Sequence, residues 1–571
     1  MTNAAIADQL TLLAKLMDIH GENSFKSKSY ASAAFTIDKL AVELIEIPTE
    51  NIFLIKGIGD STAKKIIELL QTGTLQPLVN LIEKTPAGIL EMMQIKGIGP
   101  KKIATIWKEM EIENIGELLY ACKENRLKLY KGFGEKTQQN IAETIEYFLK
   151  SKGNLLYAQA NMLVEDILSF LKKIFLHTQI EPTGAIKKQQ ETIAEIEFVV
   201  DKKMDEIEHA FLQVEDFIEA EKTSHSIVYK STLGFKIKLY CCNPGTFLSQ
   251  LFTQNCSIEF LAAFNEKMGE INFENASTEA DIFTKYSMDF IPPFARENAA
   301  IIELAINNKI PTVIQPTDIK GIVHSHSKWS DGASSIEEMA VAAQQQGFEY
   351  LVLSDHSKSA FYANGLQEER IIAQHIEIDA LNKQLAPFKI FKSIESDILN
   401  DGSLDYSNAI LSTFDMVIAS IHSNLKMPEE KAMQRLIAAI ENPYTTILGH
   451  LTGRLLLSRK GYPINHKKII DACAANKVII ELNAHPSRLD IDWRHIGYAL
   501  EKNILISINP DAHFIEGYKD VQYGVWVAQK ALLTKEQNFS SFTLPQIEHY
   551  LMHTKKWQVK LPSSNAYKPI F

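Results

Sequence analysis

Nine histidine, aspartate and glutamate side chains in the second half of the sequence could bind metal ions, because they follow short apolar segments. The segments are residues 321–323, 349–354, 388–394, 414–421, 445–449, 477–483 and 503–510. The candidate ligands that follow six of them are His324, His326, Asp331, His356, Glu395, His422, His450, Asp511 and His513. One ion with about four to six ligands cannot use nine, so the set predicts two or three divalent metal ions, of Mn, Zn or Fe.

A parallel barrel would bring these nine side chains together. Amphipathic helical patterns at residues 334–346, 429–441 and 465–475 separate the apolar segments, which is typical of βαβ units. About seven such units predict a distorted α/β barrel, in which all strands end at one face. The alternative is that each histidine has a structural role at its strand end, but a coincidence at six strands argues against it.

Clustered divalent metals favour phosphoester hydrolysis. They activate a water as nucleophile near neutral pH and neutralise charge that develops on the phosphoryl oxygens. Arg454 is a candidate catalytic residue that would clamp the phosphate, since a planar guanidinium suits that geometry. The alternative for Arg454 is a structural salt bridge.

Three similar glycine-containing segments, residues 55–66, 95–106 and 130–141, occur in the N-terminal part. In each, a helical pattern runs into a K-G-[IF]-G turn and a second helix follows. Glycines leave room for a phosphate, and free N–H groups at the start of the next helix can bind it. The alternative is a helical hairpin whose glycines only cap helices, but three copies with nearby lysines favour DNA backbone binding. The candidate DNA-binding residues are Gly57, Gly59, Lys65, Gly97, Gly99, Lys101, Lys102, Gly132 and Gly134.

The middle region is predicted to contain both strands and helices, with strands at residues 194–200 and 234–242. Residues 183–200 resemble the palm segment of family X DNA polymerases, where a Gly-Ser pair binds triphosphate and aspartates bind metals. Here the pair reads Gly184-Ala185, the two aspartates read Glu195 and Glu197, and the third carboxylate position reads Lys238. The glutamate side chains are longer than aspartate, and the lysine places a cation where a metal should bind. Both changes disturb the geometry that the metals require, so we expect a degenerate, inactive palm. Glu195 and Glu197 would then form an ordinary strand face.

Two other regions carry the same resemblance. The glycine segments resemble helix-hairpin-helix motifs, and residues 21–37 resemble the start of the small domain with which family X polymerases bind the 5′-phosphate side of a gap. The resemblance implies that Lys26 and Tyr30 lie near the phosphate. It also places Lys65 at the position of a lysine that forms a Schiff base in members with lyase activity, although contact with phosphate is the favoured role.

Residues 321–530 resemble the PHP (polymerase and histidinol phosphatase) domain of bacterial family X polymerases, through motifs such as H-S-H, S-D-H-S-K, L-G-H-L-T-G-R and N-P-D-A-H. The resemblance implies three metal positions that share the nine ligands. The implied sets are His324, His326, Glu395 and Asp511; Glu395, His422 and His450; and Asp331, His356 and His513.

We therefore expect a multidomain protein with an all-α helix-hairpin-helix region, an α+β polymerase-like palm and an α/β PHP barrel. The predicted parts are a small helical domain (1–85), a second helix-hairpin-helix region (86–150), a palm and thumb (151–300), a linker (301–320) and the PHP domain (321–571).

Charge indicates that any DNA contact is local. The 571-residue chain has a net charge of −11, whereas residues 1–150 carry 18 Lys and Arg against 19 Asp and Glu. This charge argues against binding of nucleic acid through a broad, positively charged surface. No apolar run approaches the roughly 20 residues of a membrane span and no signal-peptide pattern is present, so a cytoplasmic location without a membrane partner is expected.

Together these patterns predict a DNA-repair nuclease that binds gapped, nicked or abasic DNA without sequence preference. Removal of nucleotides or blocking groups from 3′ ends is the favoured activity, and cleavage at abasic sites is an additional candidate. The alternatives are gap-filling DNA synthesis by the palm, a small-molecule phosphatase such as histidinol phosphatase, and a non-catalytic DNA-binding scaffold. The hairpin segments argue against the small-molecule phosphatase, and the complete ligand set argues against the scaffold.

Overall fold

The computed structural model describes residues 1–554 apart from residues 41, 96 and 152. The chain forms two compact units, one of Met1–Lys123 with Leu127–Phe148 and one of Glu124–Arg126 with Leu149–Phe571. The end of the predicted PHP domain, residues 555–571, lies outside the described residues. The finer division into five parts stays a prediction.

The first unit is helical, as predicted. Helix α1 begins after Thr2, whose hydroxyl accepts a hydrogen bond from the Ala5 N–H, and it ends at Gly21 with a φ of +73°. Its buried face, which includes Leu10 and Leu13, packs against α2. The helices are α1 (Asn3–His20), α2 (Ser24–Asp38), α3 (Thr49–Ile52), α4 (Asp60–Thr72), α5 (Gln76–Lys84), α6 (Ala87–Met92), α7 (Pro100–Lys108), α8 (Ile115–Lys123) and α9 (Glu135–Ser151).

The second unit begins with a mixed sheet in the order β2-β4-β7-β6-β5, in which only β4 and β7 are parallel. The helices and strands of this first part of the second unit are β1 (Leu155–Leu156), α10 (Tyr157–Ile174), β2 (Ile180–Thr183), β3 (Thr192–Ile193), β4 (Ile196–Val200), α11 (Met204–Phe211), β5 (Phe217–Lys222), β6 (Ser226–Ser231) and β7 (Lys236–Cys241). The predicted strand at 194–200 is thus shorter, and Glu195 precedes it.

A helical segment with its own aromatic core follows this sheet. It comprises α12 (Phe247–Gln254), α13 (Ile258–Met268), α14 (Glu279–Lys285) and α15 (Ala300–Ile306). The buried guanidinium of Arg296 lies 4.7 Å from the Phe252 ring centroid and 2.7 Å from the Glu279 carboxylate. A buried cation with a paired carboxylate and an aromatic face is well compensated.

The C-terminal part is a seven-stranded parallel sheet in the order β14-β13-β12-β11-β10-β9-β8. Ser325 and Ala512 bridge its two edge strands, so the sheet is a nearly closed barrel, and the predicted distorted barrel is confirmed. The elements are β8 (Gly321–Ser325), α16 (Ile336–Gln345), β9 (Tyr350–Leu353), α17 (Glu368–Gln384), β10 (Lys389–Asp397), α18 (Asn408–Leu411), β11 (Met416–Ser420), α19 (Glu429–Glu441), β12 (Ile447–Leu448), α20 (His466–Asn476), β13 (Ile479–Asn483), α21 (Ile496–Glu501), β14 (Ile506–Asn509), α22 (Val521–Lys530) and α23 (Leu544–Thr554).

Apart from β10, in which Lys389 and Lys392 are half-buried, the barrel strands are buried along their whole length, which explains their continuous apolar runs. Because all seven run in the same direction, their carboxyl ends lie at one face. Within the described part of the chain, no helix is both long and apolar enough to cross a membrane.

Candidate metal centre

All nine predicted metal ligands lie at the carboxyl-terminal face of the barrel, and none of their side chains is more than 4% exposed. The sequence placed each of them after a strand. The structure corrects this for His324 and Glu395, which lie inside β8 and β10, because those strands continue to Ser325 and Asp397.

Glu395 lies at the centre of the cluster. Its Oε1 is 2.9 Å from His450 Nε2, 3.1 Å from His422 Nε2 and 3.2 Å from His324 Nε2. Its Oε2 is 2.9 Å from His356 Nδ1. Because the two oxygens of Glu395 face different histidines, this carboxylate lies within reach of several candidate ligands, and a bridging role between two metal ions stays a prediction.

Three groups of ligand atoms, each within 4.8 Å of one another, could hold metal ions among the described residues. They overlap with the three sets that the sequence resemblance implies, with four differences. His326 joins the group of Asp331, His356 and His513, and His356 joins Glu395 and His422. Glu395 is absent from the group of His324, His326 and Asp511, and His450 belongs to none of the three groups. The clusters can therefore hold divalent metals, and the assignment of each ligand to one metal stays a prediction.

The donor atoms fit a cation because many of them have no hydrogen-bond partner among the described residues. Eight buried ligand atoms are in this state: His324 Nε2, His326 Nδ1, Asp331 Oδ2, His356 Nδ1 and Nε2, Glu395 Oε2, His450 Nδ1 and His513 Nε2. Leaving a buried polar atom without a partner costs about 1–3 kcal/mol. In addition, Nε2 of His422 and Nε2 of His450 face each other at 3.2 Å. Ring nitrogens in these positions are suited to sharing a cation.

Two carboxylates that the sequence analysis missed orient the histidines. Glu481 Oε2 lies 2.7 Å from His324 Nδ1, and its Oε1 accepts a hydrogen bond from the His450 N–H at 2.9 Å. Asp397 contacts His422 Nδ1 in the same way. A carboxylate on one ring nitrogen fixes the tautomer and leaves the other nitrogen for the metal. The sequence feature that could have indicated Glu481 is its position within the mainly apolar strand segment 477–483.

The neighbouring charges perturb these histidines strongly. Burial opposes protonation of His422, but the carboxylates of Glu395 and Asp397 raise its pKa to about 9. Burial and the neighbouring His513 and His356 lower the pKa of His326 to about 3. Such divergent values within one buried cluster are a feature of functional sites.

Arg454, the predicted phosphate clamp, is engaged elsewhere. Its Nη2 donates to Glu191 at 2.6 Å, its Nη1 donates to Asp492 at 2.9 Å and its Nε donates to the Arg488 carbonyl at 3.0 Å. These contacts favour the salt-bridge alternative. Arg488, which the sequence analysis did not select, lies closer to the ligands, since its Nε is 3.9 Å from Asp511 Oδ2.

The palm residues also differ from expectation. Glu195 precedes β4 and lies 3.5 Å from the Lys238 ammonium, so the prediction that it forms a strand face with Glu197 is wrong. Glu197 lies on β4, opposite Lys238 of β7. Its carboxylate is turned into the Gly184-Ala185 turn, where it accepts the Ala185 N–H at 2.8 Å.

The carboxylate of Glu197 fills this turn. A Cβ at Gly184 would lie only 1.3 Å from Glu197 Oε2, and the Tyr240 hydroxyl donates to Oε1 at 3.2 Å. Burial raises the pKa of Glu197, and the Ala185 N–H opposes that shift. The turn that the resemblance assigns to triphosphate binding is thus occupied by the chain's own side chain.

The three glycine turns have the same geometry. Gly57, Gly97 and Gly132 have φ values of +97°, +90° and +92°, which favour glycine. Gly59 and Gly99 precede α4 and α7, neither of which has a side-chain cap. Around the candidate glycines other than Gly57, no described heavy atom lies within 4 Å of an added Cβ. These turns therefore leave room for a phosphate beside the start of the following helix, and phosphate binding there stays a prediction.

The candidate DNA-binding side chains of the first unit differ in exposure. Lys26 and Lys101 are exposed and Lys102 is half-buried, whereas Tyr30 is buried and burial raises its pKa. The ammonium of Lys65 lies 2.5 Å from the Glu68 carboxylate. The roles of these residues at a phosphate stay predictions.

Comparison with known families agrees with this architecture. The family described as "Helix-hairpin-helix domain" matches residues 1–75, "SAM-like Helix-hairpin-helix tandem" matches residues 89–146, and "PHP domain" matches residues 323–485. The helix-hairpin-helix and PHP parts of the predicted architecture are thus confirmed.

Curated relatives extend the comparison to nearly the whole chain. The DNA polymerase/3′-5′ exonuclease PolX of Bacillus subtilis (strain 168) is 30% identical over 561 residues, which are 95% of this chain and 98% of the relative. A probable phosphatase of Caldanaerobacter subterraneus subsp. tengcongensis is 28% identical over 207 residues, 33% of this chain and 74% of the relative. A probable phosphatase of Thermoanaerobacter sp. (strain X514) is 25% identical over 244 residues, 41% of this chain and 94% of the relative. Since the phosphatases match a minor part of the chain and PolX matches almost all of it, this chain belongs to the PolX family of DNA repair enzymes with a C-terminal PHP domain.

Proposed function

We propose that this protein is a metal-dependent 3′-5′ exonuclease that processes 3′ ends of gapped or broken DNA at the PHP centre. The observation that carries the proposal is the convergence of nine buried candidate ligands at one barrel face, seven of which have an atom without a hydrogen-bond partner among the described residues. The B. subtilis relative is named as a DNA polymerase/3′-5′ exonuclease, which supports the choice of polarity. Cleavage at abasic sites is the additional activity that we propose for the same centre.

The residues of the centre have distinct tasks in this proposal. Two or three divalent metals, held by the nine candidate ligands, would supply an activated water and would neutralise phosphoryl charge, and Mn, Zn and Fe would all suit the mixed ligand set. Glu481 and Asp397 hold His324 and His422 in the tautomer that binds metal. Arg488, beside Asp511, presents a guanidinium to the phosphate that enters the site.

The first unit supplies DNA affinity. Its three glycine turns bind backbone phosphates through helix N–H groups, which carry no sequence information. Binding therefore needs no large positive charge, in agreement with the near-neutral balance of residues 1–150. We propose that gapped, nicked or abasic DNA is held in this way without sequence preference.

A nuclease assay with Mn²⁺ on DNA that carries a gap and a labelled 3′ end tests the proposal. The purified protein is expected to shorten the labelled strand from its 3′ end, and His324→Ala/His326→Ala is expected to lose at least 100-fold in rate. His466→Ala is the matched control, because His466 belongs to the same barrel but stacks on His495 away from the ligand groups. Shortening from the 5′ end, or equal rates in both variants, would contradict the proposal.

The structure argues against gap-filling synthesis as the main activity. A triphosphate would have to displace the Glu197 carboxylate from the Gly184 turn, and Lys238 replaces a metal-binding carboxylate. Single-nucleotide extension of a gapped primer is expected to be absent. Extension that disappears in Glu195→Ala/Glu197→Ala would establish the palm as active.

The probable phosphatases among the relatives make a small-molecule substrate the second candidate. The helix-hairpin-helix domains favour DNA instead. Comparing kcat/KM for histidinol phosphate and for a 3′-recessed duplex decides between the two, and we expect the duplex to be preferred by several orders of magnitude.

A further inference from the structure

Residues 188–191 of the palm, here called the brace, contact the barrel or the helical segment that precedes it. The Lys188 carbonyl accepts the Lys530 ammonium at 2.6 Å, and Gln189 donates to Gln529 at 3.2 Å. Gln190 donates to Glu297 at 2.7 Å, and Glu297 also accepts from Lys530. The brace lies shortly after the palm turn that Glu197 fills. This part of the palm therefore makes many contacts with the rest of the chain, although Glu197 leaves no room for a nucleotide in the turn.

Glu191 differs from the rest of the brace because it pairs with two arginines. Its Oε1 is 2.6 Å from Arg454 Nη2 and its Oε2 is 3.2 Å from Arg494 Nη1. The side chains of Glu191 and Arg454 are only 10% and 12% exposed, so solvent screens the pair weakly. Removing the Glu191 charge would leave the buried Arg454 guanidinium with one carboxylate partner, Asp492, instead of two.

Arg454 in turn fixes residues 488–492, the loop beside the metal ligands. It donates to the carbonyls of Arg488 and Leu489 and to the Asp492 carboxylate. Leu489 has a φ of +45°, a conformation that a leucine adopts only where its surroundings hold it. Loss of the Arg454 contacts would therefore free this loop to relax.

The loop reaches the metal centre at two points. Arg488 lies 3.9 Å from the ligand Asp511. Asp490 accepts hydrogen bonds at 2.9 Å from both the N–H and the hydroxyl of Thr452, two residues after the ligand His450. A continuous chain of polar contacts thus connects the palm with both sides of the metal site.

We propose that Glu191 is a positioning residue of the PHP centre, so that the palm serves as part of the hydrolytic site. Glu191 holds Arg454, which holds the loop that carries Arg488 and Asp490. The inference rests on the proposed hydrolysis at the barrel, and it assigns to the palm a task that needs neither nucleotide nor palm metals. Displacements of about 1 Å in an active site can cost about 100-fold in rate.

The test compares Glu191→Gln with Glu297→Gln in the full-length protein. Both changes neutralise a carboxylate in the palm–barrel contacts, but Glu297 pairs with Lys530 and not with Arg454. A general loss of stability would therefore affect both variants. Mn²⁺ affinity, measured by electron paramagnetic resonance, reports on the centre without turnover, and kcat and KM are measured on 3′-labelled DNA and on bis(4-nitrophenyl) phosphate.

Glu191→Gln is expected to lower kcat on either substrate at least tenfold and to weaken Mn²⁺ binding several-fold, with Glu297→Gln within twofold of the unmodified protein. Glu191→Asp, which keeps the charge, is expected to recover part of the loss. Equal behaviour of Glu191→Gln and Glu297→Gln in both kcat and Mn²⁺ affinity would overturn the inference. If the unmodified protein cleaves only bis(4-nitrophenyl) phosphate, the proposed DNA activity is refuted. The comparison of Glu191→Gln with Glu297→Gln on that substrate and in Mn²⁺ affinity then still decides the inference about Glu191.

Discussion

Replacement of Glu481 by glutamine should damage the metal centre although Glu481 is not itself a predicted ligand. Glu481 is fully buried, and each of its oxygens accepts two hydrogen bonds. Oε2 faces His324 Nδ1 and the Asn509 amide, both at 2.7 Å. Oε1 faces the His450 N–H at 2.9 Å and the Asn483 amide at 3.1 Å. Four donors thus surround one carboxylate.

A glutamine can accept on one side only. If its NH₂ group faces His324, the imidazole must present a lone pair at Nδ1 and carry its proton on Nε2, where the metal should bind. If the NH₂ group faces His450, two donors lose their acceptor at about 1–3 kcal/mol each. Loss of such an orienting carboxylate typically costs about 10- to 100-fold in metal affinity or activity. That range corresponds to about 1.4–2.8 kcal/mol.

The assay is a Mn²⁺ titration with parallel measurement of 3′-end hydrolysis, after circular dichroism has shown that Glu481→Gln is folded. Glu441→Gln, at the exposed end of α19, is the control for the loss of one negative charge. If Glu481→Gln binds Mn²⁺ and cleaves DNA within twofold of the control, the reasoning from its four hydrogen bonds is wrong.

Three further outcomes are expected. Chelation by EDTA should lower Tm in differential scanning fluorimetry, and Mn²⁺ should restore it, because the orphaned ligand atoms destabilise the empty cluster; an unchanged Tm would count against a metal centre. Burial lowers the pKa of His375 to about 4, so its neutral form contributes stability above the unfolded pKa of about 6.5 that is lost as pH falls towards 4. The drop in Tm between pH 7 and pH 4.5 should thus be smaller in His375→Leu, and an equal drop would disprove this assignment. Gly132→Val should raise the Kd for gapped DNA at least threefold in fluorescence anisotropy, because Gly132 has a φ of +92° in a proposed phosphate-binding turn. Gly269→Val, with a φ of +77° outside these turns, is its control, and equal affinities would argue against DNA binding at the turn.

Local patterns in the sequence were sufficient for the parallel barrel and for the placement of the nine candidate ligands at one of its faces. Apolar runs that alternate with amphipathic helices specify a parallel barrel, because strands buried on both faces must be apolar throughout. A polar residue at the end of such a run then has a defined position, since all strand ends share one face. The glycine turns are equally local, because a positive φ constrains the residue that occupies it.

Other features depend on residues that meet only in the folded chain. Glu481 acts on His324, which is 157 positions away, and Arg454 pairs with Glu191, which is 263 positions away. From the sequence, Arg454 was equally suited to a phosphate or a carboxylate, because a guanidinium binds both. Likewise, the longer side chain at position 197 indicated only a lost metal ligand. The tertiary structure shows that it reaches the Gly184 turn and fills the space that the resemblance assigns to the triphosphate, because the antiparallel pairing of β2 and β4 sets Glu197 beside that turn.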